Sequence, residues 1–252
     1  MADYSPDQDF DFEHNPTWRI FRIMSEFVDG FTFLARIQKS VTFFGSARLA
    51  EDHPYYAQAR EMAAQLAQRG YTVVTGGGPG IMQAANQGAT EAGGESVGLN
   101  IQLPLEQRIN PYVKQGMSFT YFFSRKVMLQ FSAEAYIFFP GGYGTLDEFF
   151  ELLTLVQTGK HEHGMPIILV GRSYWEPLVQ WMQTELLQQL HTIDEDDLAI
   201  MTITDDIAEA VRLIDVGVES QAKAWLKQKG RSRKTPDDKL KQATRPMAGK
   251  EQ

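Results

Sequence analysis

Two glycine-rich stretches, each between an apolar run and a helix-like segment, are the parts of this sequence best suited to bind a ligand. They are VVTGGGPGIMQAA, residues 73–85, and AYIFFPGGYGTLDEFFELL, residues 135–153. Glycines let the backbone approach a ligand closely, and the first turn of a helix presents free N–H groups and a positive dipole end. Both stretches therefore predict phosphate binding. The first is neither a P-loop nor a GxGxxG motif, because no Gly-Lys-Ser/Thr follows and Ile81 occupies the third glycine position, so NAD and ATP are only weakly supported.

Strand-like and helix-like segments alternate along most of the chain and would position these turns. The predicted strands are residues 41–45, 71–75, 96–101, 119–122, 135–139, 166–170 and 201–204, and the predicted helices are residues 54–68 and 80–92, with others from about 124, 144, 174 and 204, the last reaching about 214. This order predicts an α/β fold, Rossmann-like and doubly wound, with a mostly parallel sheet and helices on both faces. In such a sheet both glycine turns lie at the carboxyl edge and can face one crevice.

The chain divides by composition into four segments. Residues 1–15 are predicted to be disordered, residues 16–37 form an added N-terminal helix, residues 38–220 form a Rossmann-like nucleotide-binding catalytic domain, and residues 221–252 form a basic, disordered tail. The apolar residues of the added helix recur at helical spacing, which predicts that its apolar face is buried. Residues 103–116 are predicted to be a long loop that could act as a lid.

Composition excludes several classes of function. The net charge of -8 argues against duplex nucleic acid as a partner, apart from a contact of the basic tail with RNA or an acidic protein. With no cysteine, disulfides, thiolate metal sites and a cysteine nucleophile are excluded. His161 and His163 have no visible third ligand, so no metal site is predicted. The acidic N-terminus lacks signal-peptide features and no apolar run approaches a membrane span, which predicts a cytoplasmic protein without membrane contact.

Three motifs together carry a family resemblance. GGGPGIM, then SRK, then PGGYGTLDE, with FFGSAR before them, resemble the signature of the Lonely Guy (LOG) family, whose pattern is PGGxGTxxE. The resemblance covers about residues 41–170. It implies an N-glycosidase that hydrolyses AMP or N6-modified AMP, such as a cytokinin riboside monophosphate, to the free base and ribose 5-phosphate, without metal or organic cofactor. It also implies a homodimer or a higher homo-oligomer. An older label for such sequences, lysine decarboxylase, is not supported, because nothing indicates a pyridoxal phosphate site.

The family's catalytic pair falls on Arg125 and Glu148 of this sequence. Hydrolysis of a ribosyl–base bond passes through an oxocarbenium-like state, which a carboxylate such as Glu148 can stabilise while it orients water. The guanidinium of Arg125 suits either the phosphate or the departing purine. Phosphate binding is predicted at the second turn, and further substrate contacts in three other segments. The predicted substrate-binding residues are Gly45, Ser46, Gly77, Gly78, Gly80, Met82, Lys126, Gly141, Gly142, Gly144 and Thr145.

Several alternatives stay open at this point. Thr145 and Glu148 also fit a capping box, in which the glutamate serves only the helix start. Met82 and Asn86 could meet the base or ribose, and core packing is equally compatible with Met82. Residues 121–123, Tyr-Phe-Phe, are expected to pack in a strand rather than to stack on a base. A different class of function is a non-catalytic carrier that holds a nucleotide or a pterin cofactor on the same fold.

Overall fold

The computed structural model describes residues 16–102, 109–161 and 164–232. Seven strands form one sheet with parallel pairing throughout, and helices connect them. The strands are β1 Ser40–Phe44, β2 Thr72–Thr75, β3 Ser96–Ile101, β4 Gln115–Phe119, β5 Ala135–Phe138, β6 Ile167–Leu169 and β7 Thr202–Ile203. The helices are α1 Pro16–Leu34, α2 Pro54–Gln68, α3 Ile81–Glu91, α4 Phe122–Gln130, α5 Tyr143–Gln157, α6 Arg172–Trp181 with a π-helical continuation Met182–Gln189, α7 Glu195–Leu198 and α8 Ile207–Ser232.

The strand order β4-β3-β2-β1-β5-β6-β7 confirms the predicted doubly wound α/β fold. Strand β1 lies at the point where the order reverses, because it pairs with β2 on one side and β5 on the other. Chain connections diverge there and leave a crevice beyond the carboxyl ends of the strands, where open α/β sheets bind ligands. The two glycine turns follow β2 and β5, so the topology places both beside this crevice.

Two hydrophobic cores lie on the two faces of the sheet. Alternate residues of a strand point to opposite faces, and accordingly Ile137 of β5 belongs to one core while Tyr136 and Phe138 belong to the other. Helices α2, α3 and α8 cover the first core, and α4, α5 and α6 cover the second. The two-sided burial explains why the central strands are apolar at consecutive positions.

Two predictions about local structure were wrong. Phe122 was expected to end a strand, but β4 ends at Phe119 and Phe122 begins α4, where Phe122 and Phe123 are exposed. The last helix was expected to end near Ile214, but α8 continues to Ser232 and includes the start of the predicted disordered tail. Residues 1–15 and 233–252 lie outside the described residues, and so does part of the predicted lid, residues 103–108.

Helix α1 forms as predicted, but the described part of the chain leaves much of its apolar face exposed. The buried residues of α1 are Glu26, Gly30 and Leu34, which recur every fourth position and so form one stripe that faces α4. The large side chains of Phe21 and Met24 are more than half exposed. Among the residues that the structure describes, no helix combines the length and apolarity that a membrane span requires.

Candidate active site

The segment after β1 joins the two glycine turns through backbone hydrogen bonds. The Ser46 amide donates to the Pro140 carbonyl (3.0 Å), and the Ser46 carbonyl accepts from the Ile81 amide at the start of α3 (3.0 Å). A side chain at Gly45 would collide with Ile81. The predicted binding residues Gly45 and Ser46 therefore lie between the two turns, at one edge of the sheet. The hydroxyl of Ser46 accepts from the Arg48 amide (3.1 Å), which tightens this segment.

A buried amide network holds the first glycine turn. Gly77 and Gly80 adopt positive φ angles of 70° and 67°, a region that favours glycine. Asn86 accepts from the Thr75 hydroxyl (2.7 Å), and that hydroxyl in turn accepts from the Gly77 amide (2.9 Å). Asn110 donates to the Gly78 carbonyl (3.0 Å) and to Asn86 (2.9 Å). The turn is thus fixed by the protein itself.

This network changes the interpretation of two positions. Asn86, which could have met the base or ribose, is fully buried and also donates to Ser96 (2.8 Å), so its side chain serves this network. Asn110 was assigned to a loop that could act as a lid, yet it is buried and bonded to the turn. Sequence reasoning missed Asn110 because its partners lie more than twenty residues away and no local pattern marks it.

Arg125 reaches the same edge from helix α4. Its Nε donates to the Leu99 carbonyl at 2.8 Å, and its Nη2 donates to the Gly76 carbonyl at 3.4 Å. A side chain at Gly76 would collide with Nη2 of Arg125 and would also press on Met82, so Gly76 leaves space for the guanidinium. Of the five N–H donors of this group, contacts with the described residues use two, which leaves three for a ligand. Burial lowers the pKa of Arg125, and the Glu148 carboxyl partly offsets this effect.

The second glycine turn leads directly into α5, whose N-cap is Gly142. Gly142 and Gly144 are exposed, and side chains there would meet no atom within 4 Å. Neither residue has a positive φ, so the fold itself does not require glycine at these positions. A physical reason for glycine at both positions is that it lets a ligand approach the backbone closely. Gly141 is held by the Tyr174 hydroxyl, which donates to its carbonyl at 2.6 Å and was not predicted as a site residue.

The capping-box interpretation of Glu148 is wrong. Helix α5 begins at Tyr143, so Thr145 lies within its first turn and is not the N-cap, and the N-cap, Gly142, makes no side-chain capping bond. Glu148 lies one turn further along, is 8% exposed, and its Oε2 is buried without a hydrogen-bond partner among the described residues. A buried, unbonded carboxyl oxygen is costly and calls for a role outside the helix.

The electrostatic setting of Glu148 favours its protonated form. Burial raises its pKa to about 8, although the positive charges of Arg125 and Lys126 act in the opposite direction. No hydrogen bond or ion pair joins Glu148 to Arg125, although each affects the pKa of the other. A carboxyl group with a pKa near neutrality, beside an incompletely bonded guanidinium, is suited to proton transfer and to stabilising positive charge.

Lys126 follows Arg125 but points to different partners. Its ammonium forms ion pairs with Asp147 (2.8 Å) and Glu151 (2.5 Å) on α5, and these hold the pKa of Lys126 above its usual value against the effect of burial. Those contacts tie α4 to α5. The predicted role of Lys126 in binding substrate stays a prediction. Of the two histidines considered for a metal, His161 contacts the Gln130 carbonyl (2.9 Å), and His163 lies outside the described residues.

Taken together, the sheet order, the crevice beside β1 and the two glycine turns define a Rossmann-like α/β protein with one site at the carboxyl edge. A family profile described as "Possible lysine decarboxylase" matches residues 82–214. The chain belongs to this family, the Lonely Guy (LOG) family.

Two curated relatives carry the same functional name. The chain is 28% identical over 151 residues to the cytokinin riboside 5'-monophosphate phosphoribohydrolase LOG of Oryza sativa, a match covering 59% of this chain and 61% of the rice protein. It thus spans less than two thirds of that relative. It is also 28% identical over 166 residues to the cytokinin riboside 5'-monophosphate phosphoribohydrolase of Mycobacterium tuberculosis, covering 63% of this chain and 87% of the relative.

Solved structures share the fold. The X-ray structure of TM1055, a structural genomics target, has a TM-score of 0.53 and 25% identity, and the similarity covers 71% of this chain and 99% of that one. The molybdenum cofactor carrier protein of Chlamydomonas reinhardtii has a TM-score of 0.54 and 21% identity, covering 72% and 99%. At this identity the second likeness concerns the fold alone.

Proposed function

We propose that the protein hydrolyses the N-glycosidic bond of a purine nucleoside 5'-monophosphate, releasing the free base and ribose 5-phosphate. The observation that carries the proposal is Glu148, whose buried Oε2 has no partner among the described residues and whose pKa is raised to about 8, close to Arg125 and the open start of α5. The names of the relatives support the same reaction class.

The phosphate binds at the second glycine turn in this proposal. Gly142 and Gly144 are exposed at the positive end of the α5 dipole, where their amides would bind the phosphate, and Thr145 adds its hydroxyl. Because side chains at the two glycines would meet no protein atom, their absence provides room for the phosphate oxygens. The ribose then extends towards Glu148, one helical turn along α5.

Glu148 acts as a carboxylate during bond cleavage. As the C1'–N9 bond breaks, its electron pair leaves with the purine and positive charge develops on the ribose, which the carboxylate stabilises. A water molecule adds to C1' and transfers one proton to Glu148, the departing base takes up one proton from solvent, and Glu148 then returns its proton to solvent, which restores the carboxylate. Arg125 binds either the phosphate or the purine through the guanidinium N–H groups that do not contact Leu99 and Gly76.

The substrate class extends to AMP and to N6-modified AMP, with the named relatives favouring a cytokinin riboside monophosphate. The test is to incubate the purified protein with AMP, N6-isopentenyl-AMP and adenosine, and to measure free base by chromatography. We expect base from at least one monophosphate and at least about 100-fold less from adenosine, which lacks the phosphate. No base from either monophosphate would reject the proposal. Binding of molybdopterin or a nucleotide without turnover would then favour a carrier.

A nucleotide substrate and a chain without cysteine both fit the cytoplasm, where we propose that the protein acts.

We also propose that a second copy of the chain covers the exposed face of α1. Phe21, Met24, Val28 and Phe31 are all 46% or more exposed, and their spacing of three, four and three residues is that of a coiled-coil seam. A seam of this kind fits another helix. Because α1 of a second copy carries the same seam, an antiparallel pair related by a twofold axis satisfies both copies at once.

This interface gives a prediction about mass in solution. Phe21→Lys places a charge in the seam, and we expect light scattering coupled to size exclusion to show a smaller assembly than for the wild type, because a buried unpaired charge is strongly unfavourable. The matched control is Phe122→Lys on α4, since Phe122 is 57% exposed and Phe21 is 56% exposed. A reduced mass for the Phe122 variant alone would assign the interface to α4 and contradict the proposal, as would a monomeric wild type.

A further inference from the structure

We propose that Glu26 of α1 is a positioning residue of the active site: its carboxylate caps α4 and thereby holds Arg125 in its place at the crevice. The proposal rests on the proposed function in one respect, the binding of substrate by Arg125. Nothing in the signature motifs includes Glu26, because it lies in the added N-terminal helix, ahead of the segment that resembles the family.

The burial of Glu26 is the first observation. A carboxylate lies in the buried stripe of α1, while large apolar side chains of the same helix are exposed. Burying a charged group is unfavourable unless hydrogen bonds compensate for lost hydration. The buried position of Glu26 therefore requires hydrogen-bond donors on the segment that the stripe faces.

Those partners lie at the start of α4 or directly before it. Oε1 of Glu26 accepts from the Thr120 amide at 2.7 Å. Oε2 accepts from the Tyr121 amide at 3.4 Å and from the Ser124 hydroxyl. Tyr121, the N-cap of α4, provides no capping side chain of its own. Glu26 thus places a carboxylate from another helix at the N-terminus of α4, where negative charge is favourable, and accepts from the N-cap amide and the Ser124 hydroxyl.

The cap acts on Arg125 through the first turn of α4. Arg125 follows Ser124 directly, and its amide closes the turn onto the Tyr121 carbonyl at 3.2 Å. The guanidinium then donates to the carbonyl of Leu99 in β3 and to the carbonyl of Gly76 in the turn after β2. Because these bonds depend on where the first turn of α4 lies, loss of the cap changes the position of the guanidinium without touching any substrate atom.

A second contact fixes the two helices next to each other. A side chain at Gly30, one turn beyond Glu26, would come within 2.6 Å of Met128 Sδ, so the close approach of the two helices here requires glycine in α1. Leu34 continues the same stripe into the hydrophobic core. These two contacts dock α1 but do not reach the start of α4, and Leu34 therefore offers a matched control.

The first experiment measures Arg125 directly and needs no substrate. In Glu26→Ala we expect hydrogen exchange at the Arg125 Nε–H, followed by NMR and assigned with Arg125→Lys, to become about tenfold faster, corresponding to loss of one helix cap. Each variant is studied at the same number of degrees below its own Tm, and Leu34→Ala is then expected to leave this exchange unchanged. The proposal would be overturned if the Nε–H exchanged as slowly in Glu26→Ala as in the wild type, or if its exchange were accelerated equally in Glu26→Ala and Leu34→Ala.

The second experiment measures catalysis. With the best nucleotide found, Glu26→Ala is expected to lower kcat/KM by about tenfold, and Glu26→Gln, which keeps the acceptor oxygen, to restore part of that loss. Leu34→Ala should match the wild type once stability is allowed for. Equal losses in Glu26→Ala and Leu34→Ala would show a purely structural role. If the wild type hydrolyses no nucleotide, the proposed function fails, while the exchange measurement still decides whether Glu26 positions Arg125.

Discussion

Glu148→Gln is expected to abolish base release, by about 10³-fold or more, and at the same time to make the protein more resistant to heat. Glutamine keeps the size of the side chain and removes its ability to become an anion, so water activation and charge stabilisation are both lost. In the wild type, Glu148 must be ionised for these steps, and burial makes the ionised form unfavourable in the folded protein. The same substitution therefore removes activity and relieves an electrostatic cost.

The gain in stability depends on pH in a defined direction. Folding raises the pKa of Glu148 from its ordinary value of 4.5 to about 8. The stability that the protonated carboxyl contributes is fully present below about pH 4.5 and is lost as the pH rises through about 8. Glutamine mimics the protonated form at every pH. We expect equal Tm values near pH 4.5 and an advantage on the order of 2 kcal/mol, or several degrees, for the variant near pH 8.

The matched control is Glu151→Gln, which makes the same chemical change one turn along the same helix. Its carboxylate pairs with Lys126 near the surface, and we expect base release to fall by less than about threefold. Thermal unfolding followed by calorimetry and base release followed by chromatography are the two measurements. An active Glu148→Gln variant would remove Glu148 from the mechanism, and a Tm difference that does not change with pH would contradict its raised pKa.

Arg125→Lys is expected to reduce kcat/KM by about 100-fold or more, although it preserves the positive charge. The guanidinium donates in two directions, from Nε to Leu99 and from Nη2 to Gly76, and still has donors for a ligand. An ammonium group cannot reproduce this planar arrangement. The lysine ammonium would also not occupy the space beside Gly76 that holds Nη2 of Arg125.

Arg60→Lys is the control for this substitution, because Arg60 pairs with Glu91 at the surface (2.6 Å), away from the crevice. Steady-state kinetics should show no loss there beyond about twofold, as for exposed ion pairs in general. Wild-type kinetics in Arg125→Lys would mean that charge suffices at this position. A rise in KM alone would assign Arg125 to ground-state binding, and a fall in kcat alone would assign it to the departing base.

The parts of the fold that sequence reasoning captured are those with strong local signals. Helix α2, with proline at its first position, and strand β3, a continuous buried run, were predicted with the bounds observed. The convergence of both glycine turns followed from parallel topology. Phe122 was misplaced because an apolar aromatic run resembles a strand, whereas the residues around the start of α4 donate hydrogen bonds to Glu26, far away in the sequence.

For the site, sequence motifs identified candidates but not their surroundings. Glu148 and Thr145 fit a capping box by spacing, and only the observed start of α5 at Tyr143 excludes that interpretation. The extended length of α8 could not be predicted from a polar, charged segment whose composition resembles a disordered tail. Asn110 and Tyr174 support the two turns through contacts between distant segments, which leave no periodic pattern in the sequence.

The contact between Glu26 and Thr120 spans 94 positions of the chain, and this separation bears on the order in which the molecule assembles. During synthesis α1 leaves the ribosome long before α4 exists. Closing so long a segment carries an entropic cost, which is offset only after the intervening strands have paired and brought the two helices together. Arg125 is thus secured late in folding, so a chain that has not completed its sheet lacks an assembled crevice in which to bind a ligand.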